Sequence, residues 1–153
     1  MDKDNQLIFE VYLREAAEDD SDSTDNDNYT GIRRYPDRAT HHYENGSLVQ
    51  VDYDNGDHVW YEKGKRHRKD GGPAAIWNTG EKFWYNHGKQ SREDGPAVVH
   101  PNGDFEWWLD GYDFQDPRHW AAMVLKKRNQ TITPETISNH LRAALQKEIK
   151  DLI

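Results

Sequence analysis

A chain of 153 residues with a mean hydropathy of -1.16 fits one domain with appendages, and its six Trp, eight Tyr and four Phe must supply a core that aliphatic residues do not. The net charge of -8 is confined to residues 1–30, where ten acidic side chains stand against Lys3 and Arg14; residues 31–153 balance at zero, which argues against a broad nucleic-acid-binding face. With no cysteine there is neither a disulfide framework nor thiolate chemistry, and no apolar run approaches the ~18–20 residues that a membrane span requires.

Residues 6–17 predict a short amphipathic helix, because Phe9, Tyr12, Leu13 and Ala16 recur at one face of a 3.6-residue period. About three turns are marginal alone, so this helix is expected to dock on its own domain or on a partner. Residues 18–30, EDDSDSTDNDNYT, bury almost nothing and predict a self-repelling acidic tether.

From residue 55 the chain repeats. Residues 55–77 read NGDHVWYEKGKRHRKDGGPAAIW and residues 79–100 read TGEKFWYNHGKQSREDGPAVVH. Gly56, Trp60, Tyr61, Gly64, Arg68 and Asp70 match Gly80, Trp84, Tyr85, Gly88, Arg92 and Asp94. Pro73-Ala74 matches Pro96-Ala97 when Gly72 is taken as a one-residue insertion. A partial third copy, NGDFEWWLDG at residues 102–111, keeps Gly103, Trp107, Trp108 and Gly111 in register, so the period is 24 and then 23 residues. A worn copy precedes them, in which Asp37, residues 40–43 and Asn45-Gly46 echo Asp94, residues 97–100 and Asn102-Gly103.

Each unit predicts a strand, a tight turn, an extended loop and a second strand. Asn55-Gly56, Thr79-Gly80 and Asn102-Gly103 suit turns that need positive φ. The runs after them are aromatic and β-rich, and a second turn follows at Lys63-Gly64, His87-Gly88 and Asp110-Gly111. The Asp-Gly-Pro-Ala step then starts the next strand, since Pro can open a strand but not sit inside a central one. After the repeats, Asp116-Pro117 and Thr133-Pro134-Glu135 are helix starts, and Ile137, Leu141, Leu145, Ile149 and Leu152 mark an amphipathic helix running to the end. The expected fold is α+β but mainly β: an antiparallel hairpin meander of about six to eight short strands. Its parts are an N-terminal helix (1–17), an acidic linker (18–33), a repeat domain (34–115) and a helical segment (116–153).

The segments WYEKGKRHRKDGGPA and WYNHGKQSREDGPAVV resemble MORN-like repeats with a W-Y-x-x-G-K-x-x-R-x-D-G-P-A core, over roughly residues 35–113. The resemblance implies a β-hairpin scaffold, a source among large bacteriophages, giant viruses or bacteria, no recognised enzymatic activity and no cofactor. It also implies contacts with proteins and sometimes lipids. His67 and Ser91 differ at one repeat position, and the first, worn copy lacks Gly-Pro-Ala.

Arg68/Asp70 and Arg92/Asp94 recur in each unit, and recurrence suits a loop clip better than a reaction centre, of which an enzyme needs one. Eight histidines invite a metal, yet none has zinc-motif spacing, and no metal is expected. The aromatic rows are more informative. Trp60, Trp84 and Trp107 share one position and face one side of the sheet; Tyr61, Tyr85 and Trp108 face the other. The Trp row is expected to be core, and the Tyr61/Tyr85/Trp108 row a contact surface unless the C-terminal helices cover it. Together with Phe9, Tyr12 and Leu13 of the N-terminal helix, this row forms the candidate binding set. The expected function is non-enzymatic binding of another protein, in the cytoplasm of a host cell or in a virion, without direct nucleic-acid binding. The alternative is an inhibitor whose acidic arm competes for a basic groove.

Overall fold

The computed structural model describes residues 28–36 and 38–152. The expected helix at 6–17, with Phe9, Tyr12 and Leu13, lies outside them. The described part is a long antiparallel meander of short strands closed at one end by two helices.

The first strands are β1 (Gly31–Tyr35), β2 (Ala39–Glu44) and β3 (Ser47–Tyr53), so the sheet begins inside the stretch expected to be linker. Thr40–Tyr43 of the worn copy do form a strand, and Asn45 and Gly46, with φ of 49° and 80°, make the two-residue turn to β3. A bulge between His42 and Tyr43 shifts the β2–β3 register.

The first clear copy gives β4 (His58–Glu62), β5 (Lys65–Arg66) and β6 (Ala75–Ile76); the second gives β7 (Lys82–Phe83), β8 (Tyr85–Asn86), β9 (Lys89–Gln90) and β10 (Val98–Val99). The third gives β11 (Phe105–Leu109) and β12 (Tyr112–Phe114). The sheet order is β1-β2-β3-β4-β6-β7-β10-β11-β12, with β5 on β4 and β8–β9 as a separate ribbon. Twelve strands replace the expected six to eight because each unit's long strand forks. His58 and Val59 pair with Ile76 and Ala75, whereas Tyr61 and Glu62 pair with Arg66 and Lys65. The recurring Trp stands at the fork. Trp60 and Trp84 donate their N–H to Ala74 and Ala97, and their carbonyls accept from His67 and Ser91.

The two turn rows are distinct. Gly56, Gly80 and Gly103 have φ of 98°, 97° and 91°, and each donates to the carbonyl three residues earlier, on Tyr53, Trp77 and His100. These are three-residue loops with a left-handed Gly at the bulge. In the second row Lys63-Gly64, His87-Gly88 and Asp110-Gly111 have both residues at positive φ. Successive hairpins stack through this row, because Gly88 donates to Arg66 and Gly111 to Gln90.

One core row runs across the sheet as Val51, Val59, Ala75, Phe83 and Val98, which pair in sequence, with Tyr61 buried beside it. A second core lies where helices α1 (Pro117–Lys127) and α2 (Pro134–Leu152) meet β11: Trp107, Leu109, Trp120, Ala121, Val124 and Ala144. Asp116 caps α1 by accepting from Arg118 N at 2.9 Å, with Pro117 at the first position, and Thr133 caps α2 by accepting from Thr136 N at 3.1 Å. No helix among the described residues is long and apolar enough to cross a membrane.

Candidate functional site

Each Trp of the repeat row carries a flat partner. The Arg68 guanidinium lies 4.0 Å from the Trp60 ring centroid and Arg92 lies 3.8 Å from that of Trp84. Over Trp107 the place is taken by Trp120 of α1, at 4.7 Å. The guanidinium is held from behind in the same way twice. Arg68 donates to Asp70 and to the carbonyl of Pro73; Arg92 donates to Asp94 and to the carbonyl of Pro96. Trp84 Nε1 donates to the Gly71 carbonyl and Trp120 Nε1 to that of Arg92, so each indole also ties back to the preceding loop. The ladder therefore ends on a helix that substitutes an indole for the next arginine. A cation over an indole contributes about 0.5–2 kcal/mol according to its desolvation.

This geometry relocates the insertion. A Cβ on Gly72 would meet Arg68 Cζ at 3.0 Å, and one on Gly95 would meet Arg92 Cζ at 2.8 Å, so Gly72 and Gly95 are equivalent. The extra residue is Gly71, around which a Cβ would meet nothing within 4 Å.

Arg92 is buried where Arg68 is only partly so. Its Nη1 lies 2.5 Å from Glu148 Oε1 of α2, also buried, while Lys147 pairs with Asp94 and His140 Nε2 donates to the Glu93 carbonyl at 2.8 Å. Burial pushes the Asp94 carboxyl up, but hydrogen bonds from Lys147 and Arg92 outweigh it and leave the group below its ordinary value. Glu93 is lowered likewise: burial opposes, and Arg128 and Lys127 prevail.

The other face receives the Tyr61/Tyr85/Trp108 row. Tyr61 is 6% exposed in the first core, and burial pushes its phenol well above the ordinary range, so it is withdrawn from any contact surface. Tyr85 is half-buried, with its hydroxyl accepting from Arg66 at 3.2 Å. Trp108 is half-buried and donates to Glu106, which in turn meets His100 Nε2 at 2.7 Å. Helices α1 and α2 close the Trp side at Trp107. The helices were expected over the Tyr61/Tyr85/Trp108 row; they pack instead on the opposite one, over Trp107 and, through Glu148 on Arg92, at the Trp84 rung.

The fold also gathers three residues that sequence spacing did not connect. Glu62 Oε2 lies 3.2 Å from His67 Nε2 and 3.3 Å from His87 Nε2, and all three ligand atoms fall within 4.8 Å of one another. His67 comes from one loop and His87 from the next copy's turn, so only stacking of the copies brings them together. Those separations suit the edges of a tetrahedral site, but the rings do not. They stack at 3.9 Å between centroids and 17° from parallel, so no ion could lie in both ring planes. His67 Nδ1 also accepts the His87 N–H at 3.2 Å, which leaves its ring proton on Nε2, the atom a metal would need.

No family model, curated protein or solved structure matches the chain.

Proposed function

We propose that the chain is a MORN-like, non-enzymatic interaction module, an accessory protein of phage or viral type that binds another protein in the host or in the virion. The observation that supports this most is the repetition of one rung, Trp–Arg–Asp–Pro carbonyl, with the same internal bonds at both clear copies. The Arg and Asp of each rung are thereby committed to internal bonds. What remains for a partner on the opposite face is Tyr85 and Trp108, half-buried aromatics with a polar edge, the residue types that anchor protein interfaces.

Capture of partners from infected or native cells with the full chain, Tyr85→Ala and Trp108→Ala tests it, folding being checked by circular dichroism. Loss of the same partner from both folded variants is expected. Retention of every captured partner by both would remove the sheet face as the interface.

A second reading rests on charge segregation, since residues 1–30 carry the whole net charge. In it, that arm occupies a basic groove on a nucleic-acid-binding or defence protein. Deleting residues 1–27 would then abolish binding, and binding by the full chain would weaken steeply with salt.

A further inference from the structure

We infer that the junction between the first and second copies is a proton-controlled latch, closed when His67 is neutral and opened when His67 is protonated.

The hydrogen bonds define the closed state. His67 Nδ1 accepts from the backbone N–H of His87, so in the neutral ring the proton sits on Nε2, which lies 3.2 Å from Glu62 Oε2. His87 Nδ1 lies 2.6 Å from Asn86 Oδ1, an acceptor, and its Nε2 faces the same Glu62 oxygen.

A proton can enter the neutral His67 ring only at Nδ1. There it would confront the His87 N–H, donor against donor, and break the bond that joins the two copies. The charged groups around the ring divide on this event. Glu62 of β4 favours the proton; His87 in the β8–β9 turn and Lys69 in the loop oppose it, while the Lys65 side chain of β5 lies against Gly88. Burial is the largest influence, His87 the next, and together with Lys69 they outweigh Glu62, holding His67 below the ordinary histidine value. A group depressed in the folded state contributes stability above its unfolded value near 6.5, and that contribution is lost as pH falls below it.

The second junction provides the control. At the repeat position of His67 stands Ser91, whose Oγ accepts the N–H of Asp110 at 2.9 Å. Serine makes the same bond and does not titrate.

The test is amide exchange by NMR on the full chain, from about pH 7.5 to about pH 5.5, as protection factors corrected for intrinsic rate. Protection of the His87 and Gly88 amides is expected to fall severalfold in acid while Asp110 and Gly111 hold theirs. His67→Ser should abolish the pH dependence and keep the neutral-pH protection. Parallel loss at both junctions, or a dependence that survives His67→Ser, would overturn the latch. Should the variant not fold, long-range N–H correlation spectra of the wild type decide the matter. An Nε2–H tautomer at neutral pH supports it; an Nδ1–H tautomer, or stoichiometric capture of added Zn²⁺ by both rings, overturns it.

Discussion

At single positions, the repeat explains both what recurs and what varies. The Gly before Pro recurs because the guanidinium occupies the space a Cβ would need. Its two copies should respond differently to Ala. Arg92 is pinned by Glu148 and cannot move aside, whereas the partly exposed Arg68 can swing out. Gly95→Ala is expected to lower the unfolding free energy by about 1–3 kcal/mol, the range for overpacking a filled site, and Gly72→Ala by less, read from urea melts. Alignment misplaced the insertion at Gly72 because two adjacent glycines are interchangeable as letters and differ only in what lies over them. His67 and Ser91 look like drift in sequence, yet each accepts a backbone N–H from the next copy's turn. That equivalence was illegible because imidazole and hydroxyl share no composition signal, only an acceptor atom at the same place.

Among the elements, α2 departs most from its apolar pattern. The spacing of Ile137, Leu141, Leu145 and Ile149 predicts one buried stripe, but Leu145 and Ile149 are 37% and 56% exposed. Glu148 turns inward instead, because the buried Arg92 requires an anion there. Removing Glu148 leaves the buried Arg92 with only the half-exposed Asp94 as counter-charge, so Glu148→Ala should cost about 3 kcal/mol by chemical denaturation. Leu145→Gln should stay within about 0.5 kcal/mol. Acid should loosen the same contact. Burial raises Asp94 and Glu93, but Lys147 and Arg92 on the one, and Arg128 and Lys127 on the other, hold them low. Their stabilisation is present above the ordinary carboxylate range and lost as pH falls through the lowered values. Tryptophan emission followed down in pH should show Trp120 leaving Trp107 only below about pH 4, well separated from the histidine window at the first junction.

For the molecule as a whole, the hairpin meander and its helical close were legible from the 24- and 23-residue period and from the two helix starts. The forked strands were not, since a fork depends on which neighbour each half of a strand pairs with. Nor was the sheet's start at Gly31, where a composition shift suggested linker. The burial of the two aromatic rows was not legible, because Tyr61 sinks into the Val51–Val59 row, Tyr85 stays at the edge under Arg66 and Trp108 packs against the Trp84 cluster. A stack of equivalent units has one direct consequence: stability is a sum of unit and junction terms, so one whole period can be removed in register. Deleting residues 57–80 joins Gly56 to Glu81 and recreates the Gly80–Glu81 step, with β7 taking the place of β4 beside β3. Equilibrium unfolding of that shortened chain, followed by tryptophan fluorescence and far-ultraviolet circular dichroism, should show one cooperative transition with the helical signal intact; a chain without a cooperative transition would contradict the equivalence of the copies.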